Sequence, residues 1–382
     1  MDEAWIRETF LQLVQIDSPS LREGKVAAYV REVLQSLGFS VIEDDAGKTL
    51  GGECGNLIAT LPGDAGRRRV LLLAHMDTVR PGEGVKPRVS ADGVVRSDGT
   101  TVLGADDKAG ITAILAAVKA LVERKLPHGQ VQVVFTVAEE IGLAGAKHLH
   151  PSLIASDAGL CLDAEGPLGT LVVAGPSQVK WTAEVKGRAA HAGVAPEKGI
   201  SAIRVAAQAV AKMPHGRIDE ETTVNIGSFV GDGPTNIVCD HVRLIGEARS
   251  RDERKLAQVM ADIAAAFQQA AEACGAAASL QHERMYDGFR FAADHPVRQL
   301  AETALRQAGF PVQATATGGG SDANILTSLG VPTINVGIGY EDIHTTSEHI
   351  RIQDIVGAAR VALAFCTLAY GSETEIVPAS FL

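Results

Sequence analysis

"VQVVFTVAEEIGLAG", residues 131–145, sets Val131, Val133, Val134, Phe135 and Val137 in one apolar run and then delivers Glu139 and Glu140 side by side. A short run of β-branched and aromatic residues reads as a strand covered on both faces, as in a parallel sheet flanked by helices. Two adjacent carboxylates at the end of such a strand repel each other, so a positive charge is expected beside at least one of them.

Working outward, similar runs occur at "NLIATL", "RVLLLAHMD" and "AGLCLDAEG". Between two of them "DDKAGITAILAAVKALVERK" places Ile111, Ile114, Leu115, Val118, Leu121 and Val122 at helical spacing. Upstream, "SLREGKVAAYVREVLQSLGF" reads as a helix opened by a Ser20–Glu23 capping box. Its stripe is Val26, Tyr29, Val30, Val33, Leu34 and Leu37, and Gly38 stops it. Buried strands alternating with amphipathic helices predict an α/β fold with a mixed, largely parallel sheet covered by helices. From about residue 177 the style changes to strand "SQVKWTAEVKG", helix "GISAIRVAAQAVAKM", strands "TTVNIGSFVG" and "NIVCDHVRLIGEARS", helix "DERKLAQVMADIAAAFQQAAEACG" and strand "AAASLQHERM". That order, βαββαβ, is the ferredoxin-like arrangement. The α/β style then resumes with helices at 295–308 and 321–329, strand "VPTINVGIG" and a final helix at 349–369. The expected organisation is a catalytic domain of residues 1–176 and 290–382, interrupted by an inserted domain of residues 177–289.

A chain of 382 residues is long enough for two or three structural units. With 46% hydrophobic residues but only 4% aromatics, the cores are built mainly from Ala, Val, Leu and Ile. A formal net charge of −11 argues against a nucleic-acid or anionic-membrane surface, and the basic cluster Arg67–Arg69 reads as a solvated turn. Cys54, Cys161, Cys239, Cys274 and Cys366 are odd in number and lack C-x-x-C spacing, which fits a reducing compartment. "MDEAWIRETF" is acidic and amphipathic, unlike a signal or transit peptide, and no apolar run is long enough to span a bilayer. A cytoplasmic protein is expected.

Polar residues collect at strand ends, where open α/β sheets bind ligands. These are His75 and Asp77, Asp106 and Asp107 at a helix start, Glu139 and Glu140, Asp163 and Glu165, and His344 after the last strand. Singly, each has a bland reading. His75 could be a satisfied core histidine, Asp106 or Asp107 a helix cap, Asp163 a turn residue and His344 a cap or surface imidazole. Together they make two histidines among an excess of carboxylates, which divalent cations would neutralise. Imidazole and carboxylate without thiolate suit zinc, cobalt or manganese, and a pair of ions needs a bridging carboxylate.

The set "AHMDT", "GADDKAG", "AEEIGLAG", "LDAEG" and "IHTTSE" resembles the co-catalytic metallopeptidases that include peptidase T (tripeptidase), glutamate carboxypeptidase, aminoacylase and succinyl-diaminopimelate desuccinylase. "GADDKAG", "LDAEG" and "GGGSDANIL", with aspartate at 163, look most like the peptidase T branch. The resemblance implies a zinc-exopeptidase-like catalytic domain whose inserted domain serves as lid and homodimer interface. It implies two divalent ions per subunit, zinc above cobalt or manganese, with Asp106 bridging, His75 and Asp163 on one ion, and Glu140 and His344 on the other. Asp77 is implied to orient His75, and Glu139 to be the general base that activates a water bridging the ions. His191 is implied to donate to the oxyanion in the partner's active site. Asn236 and Arg249 are implied to hold substrate polar groups, and Gly319, Gly320 and Ser321 the substrate carboxylate or backbone.

These last residues also have bland readings. His191 could cap a helix, Arg249 could pair with Asp252 or Glu253 on the surface, Arg251 competes for the same role, and the glycines could form a flexible turn. Their amides could instead cradle an anion. The implied activity is hydrolysis of short peptides from the amino end. The alternative is an N-acyl-amino-acid deacylase or a glutamate-carboxypeptidase-type amidohydrolase on the same site. A non-catalytic binding protein would be expected to have lost a ligand or the base, yet all are present. A nucleotide-binding protein is disfavoured by the lack of a Walker motif or a strand-linked G-x-G-x-x-G.

Overall fold

The computed structural model describes residues 1–368; residue 369 of the expected final helix, and the rest of the expected second catalytic segment through 382, lie outside the described residues. The chain folds into two compact units, Met1–Val173 with Phe291–Ala316 and Ser321 onward, and Ala174–Arg290 with Thr317–Gly320. The junctions are at 173/174 and 290/291 rather than 176/177 and 289/290, and the glycine-rich Thr317–Gly320 belongs to the second unit.

The first unit carries strands β1 (Ser40–Glu43), β2 (Leu57–Leu61), β3 (Val70–His75), β4 (Val131–Thr136), β5 (Ala158–Ala164), β6 (Thr170–Gly175, which runs on into the second unit) and β7 (Thr333–Gly337). Its main helices are α1 (Glu3–Val14), α2 (Gly24–Ser36), α3 (Ala105–Glu123), α4 (Pro296–Gln307), α5 (Asp322–Ser328) and α6 (Ile352–Leu368). The sheet order is β1-β2-β4-β3-β5-β7-β6. Its centre, β4-β3-β5-β7, is parallel, and the flanks are antiparallel. All six residues of β3 and of β4 are buried, which is why these strands read as unbroken apolar runs. Each fully buried Val or Leu here contributes about 1.5–3 kcal/mol against exposure. Helix α3 buries Ile111, Ile114, Leu115, Val118 and Leu121 and packs against α1 and α6. In register, Leu73 sits opposite Val134 and Cys161, and His75 opposite Thr136, so the parallel strands end along one edge.

The second unit is an antiparallel sheet ordered Gly216–Arg217, Thr222–Val230, His241–Ser250, Ser177–Lys186, Ala277–Tyr286. Helices Ala202–Val210 and Glu253–Cys274 complete a βαββαβ chain around Trp181, Val205, Leu244, Ile263 and Phe267.

Several element boundaries differ from expectation for local reasons. Helix α2 starts at Gly24, not Ser20, because the proposed capping box does not form. The Ser20 hydroxyl donates to Asp77 Oδ2 at 2.6 Å, and Glu23 Oε1 accepts from the backbone N–H groups of Leu21 and Ala138. The helix read over 199–213 is confined to Ala202–Val210, capped by Ser201, and the strand read from 236 begins at His241. His349–Arg351, read as helix, is a short strand, and α6 begins at Ile352. No helix among the described residues is long and apolar enough to cross a membrane.

Candidate metal centre

The four parallel strands end together, and their last residues, the loops that follow them and the first turn of α3 supply the polar residues. His75 closes β3 and is buried, with Nε2 3.0 Å from Asp106 Oδ1 and 3.7 Å from Asp163 Oδ1. Asp106 lies in the first turn of α3, joined to Asp107 by a cis peptide bond. Its second oxygen, Oδ2, is 3.2 Å from His344 Nε2, which is also 3.1 Å from Glu140 Oε2. The donor atoms therefore form two triads, His75–Asp106–Asp163 and Asp106–Glu140–His344, each with its atoms within 4.8 Å of one another. Asp106 belongs to both and turns one oxygen to each.

Donor chemistry fits divalent ions. Two imidazoles and three carboxylates, with the Glu139 carboxyl close by, leave a largely buried excess of negative charge that divalent cations are suited to balance. The electrostatics without an ion carry that signature. Burial opposes a charge on His75, but its hydrogen bond to Asp106 and its contact with Asp77 prevail and lift its pKa well above the usual imidazole value. Burial also lifts Asp163 and Glu139 well above the carboxylate range, against the pull of His75.

The surrounding residues explain how the adjacent glutamates are delivered. Ala138 adopts φ 54°, turning the chain out of β4, and the backbone N–H groups of Glu139 and Glu140 donate to Asp77 Oδ1 and Oδ2 at 2.9 and 3.2 Å. Asp77 was expected to fix the His75 tautomer through its carboxylate. The closer partner of His75 Nδ1 is the Asp77 carbonyl at 2.9 Å, with the carboxylate at 3.5 Å, because that carboxylate is spent on the two amides and Ser20. Among the described residues Glu139 hydrogen-bonds through its backbone alone. Glu140 instead faces His344.

Three residues of this centre carry no role in the sequence reading, and a fourth, Glu23, carries a different one. Tyr340, buried, donates to Asp163 Oδ1 at 3.2 Å. Asp322, the first residue of α5, accepts from the Thr136 hydroxyl and keeps a second buried oxygen without a hydrogen bond. Glu23 supports Ala138, and Glu348 accepts from the backbone of Gly104 and Asp106. The motifs "GGGSDANIL" and "IHTTSE" already contained Asp322 and Glu348.

Of the remaining predicted residues, Ser321 precedes Asp322 in the first unit, and its Oγ accepts from Asn335 Nδ2 at 3.3 Å. His191, Asn236 and Arg249 are in the second unit, the first two exposed. His191 caps no helix; its Nδ1 accepts from Gly193 and Val194 N–H groups within its own turn. Arg249 pairs with Glu247 through Nε and Nη2, not with Asp252 or Glu253, and reaches the Gly318 carbonyl through Nη1. Arg251 donates to the carbonyls of Thr317 and Glu220. Gly319 and Ser321 already donate their amides to Thr317 Oγ1 and Asn324 Oδ1, so the expected anion cradle is largely filled from within. At Gly320 a Cβ would meet the Tyr286 ring at 2.3 Å, so only glycine fits.

Titration of these groups sets the stability of the metal-free protein. Burial pushes Glu23 and Glu348 up to about 7 and Asp322 up to about 6, and hydrogen bonds to Asp106 and Glu140 raise His344 to about 10. Each of these groups holds more protons folded than unfolded between pH 5 and 8, so stability falls as pH rises through that window. Lys108, pushed down to about 8 by burial, opposes this only near and above pH 8. The Tm of chelator-treated protein is therefore expected to drop between pH 6 and pH 8, with divalent ions restoring more of it at pH 8. A Tm that climbs over this range would contradict the account.

The sequence profile of Peptidase family M20/M25/M40 matches residues 71–367. The chain is 45% identical to the Bacillus subtilis protein YqjE, over 95% of this chain and 98% of that one. Among solved structures it resembles aminopeptidase PepT from Bacillus cereus, at 43% identity and a TM-score of 0.91 over 97% of this chain and 99% of the other. It likewise resembles a tripeptidase from Staphylococcus aureus, at 39% identity and a TM-score of 0.93 over the same shares.

Proposed function

Because the chain belongs to peptidase family M20/M25/M40, we propose that it is a di-metal exopeptidase that removes residues from the amino end of short peptides, tripeptides above all. The observation that carries the metal centre is Asp106, whose two oxygens face His75 and His344 in separate triads. The tripeptide reading is supported by the likeness, over nearly the whole chain, to a protein described as a tripeptidase and to one described as an aminopeptidase. Zinc fits the donor set best, with cobalt or manganese able to replace it.

Two divalent ions, when bound, would supply Lewis-acid polarisation of a carbonyl and lower the pKa of water. His75 and Asp163 would hold one ion and Glu140 and His344 the other, with Asp106 offering one oxygen to each. Glu139 takes the proton of the attacking water and passes it to the leaving amine. Burial lifts its carboxyl above the ordinary carboxylate range, which makes it a stronger base than a solvated glutamate. Asp77 keeps that carboxylate in place by anchoring the backbone of both glutamates. His191 is assigned to oxyanion stabilisation from across a homodimer interface. Asn236 is assigned to substrate polar groups, with Arg249 acting together with its partner Glu247, whereas the Gly319 and Ser321 amides are already donated within their own segment.

The test is a panel of free-amine tripeptides, dipeptides, N-acetyl and N-succinyl amino acids, offered to protein reconstituted with zinc, cobalt or manganese and read by mass spectrometry. Cleavage of the tripeptides with release of the amino-terminal residue is expected. Turnover confined to the N-blocked compounds would replace this reading with the deacylase one.

A further inference from the structure

We infer that Glu348 is a positioning residue: its single carboxylate ties the start of α3, which bears Asp106, to the loop bearing His344. Its Oε2 accepts from Gly104 N–H at 2.7 Å and its Oε1 from Asp106 N–H at 2.9 Å, and the side chain is 1% exposed. Gly104, at φ 74°, turns its amide to this carboxylate from the residue that caps α3. Four residues before Glu348 stands His344, half exposed, with its side chain held by Asp106 and Glu140. His344 sits at φ 62° and Asp342 at φ 55°, in the left-handed region that is disfavoured for a non-glycine residue. Such a backbone persists only where its surroundings hold it.

Two links do so here. Glu341 and His349 exchange backbone hydrogen bonds at 2.9 and 3.1 Å and close the loop, and Glu348 alone among its acidic residues plunges into the interior. The bridging ligand and the imidazole of the Glu140 triad, 238 residues apart in sequence (344 − 106), are thus registered against each other by one side chain. A carboxylate is required, because both groups facing it are N–H donors and only a carboxylate offers an acceptor to each.

The inference rests on the metal-binding reading above, and metal titration separates the two. Zinc binding to Glu348→Gln, Glu348→Asp, His344→Ala and the unaltered protein would be followed by competition with a chromophoric chelator. Far-UV circular dichroism and metal-free melting would run alongside. Glu348→Gln keeps the shape but turns an NH2 against an N–H. It is expected to weaken the ion that His344→Ala removes by about 10–100-fold and to change the other far less. Glu348→Asp, with two acceptors on a shorter stem, is expected to retain more of that affinity than Glu348→Gln. Two ions bound by Glu348→Gln as tightly as in the unaltered protein would overturn the inference. So would equal loss of both ions together with the metal-free fold, or Asp faring worse than the isosteric Gln. An unaltered protein that binds no ion would instead overturn the metal-binding reading.

Discussion

Glu139→Gln is expected to bind its full complement of metal and to hydrolyse peptides about 10²–10⁴-fold more slowly. The amide keeps the size of the carboxyl but cannot take a proton from water, so the loss falls on the chemical step. That range corresponds to about 3–5 kcal/mol of transition-state stabilisation. Metal content is expected to survive because neither triad includes Glu139, and because the backbone N–H that Asp77 holds is unchanged by the substitution. Metal analysis by mass spectrometry, paired with kcat and KM on one tripeptide, separates the possibilities. Full activity would remove Glu139 from the mechanism, and parallel loss of metal would make it a ligand.

Asp106→Asn is expected to lose both ions and, with them, all turnover above background. Asp106 is the one residue common to the triads, and its oxygens lie 3.0 Å from His75 Nε2 and 3.2 Å from His344 Nε2. An amide offers one oxygen, so it cannot serve both sides, and the loss of a negative charge leaves the pair of cations under-compensated. His344→Ala, by contrast, should release one ion only. Equilibrium dialysis against zinc or cobalt distinguishes the outcomes directly. Retention of two ions by Asp106→Asn would mean that the bridge lies elsewhere.

The residues that announce themselves in the sequence are those whose environment is local. Val131–Thr136 is legible as a buried strand because all six of its positions are covered, and the donors stand out because they follow such strands. That His75, Asp106, Glu140, Asp163 and His344 converge follows from parallel strands ending together, which the alternation of strand and helix implies. Glu348, Tyr340 and Glu23 are different. Their partners are backbone amides or a carboxylate far along the chain, and no spacing rule marks such pairs. The same distance effect misled the reading of Ser20 and Glu23. Both have the residue types of a capping box, yet tertiary partners at Asp77 and Ala138 outcompete the local ones. Arg249 is a different case: it pairs with Glu247, two residues back on the same strand and nearer in sequence than Asp252 or Glu253.

The first unit is assembled from both ends of the chain, and this bears on its synthesis. A nascent polypeptide leaving the ribosome has presented His75, Asp106, Glu140 and Asp163 by residue 163, then emits Ala174–Arg290 of the second unit. Strand β7, which slots between β5 and β6, arrives only at residues 333–337, and His344 follows it. Until then the growing sheet has an open seam at β5, next to the acidic residues already made. Amino-terminal regions fold first during translation, yet here the amino-terminal half must wait, unsealed, for nearly the last strand before its interior can close.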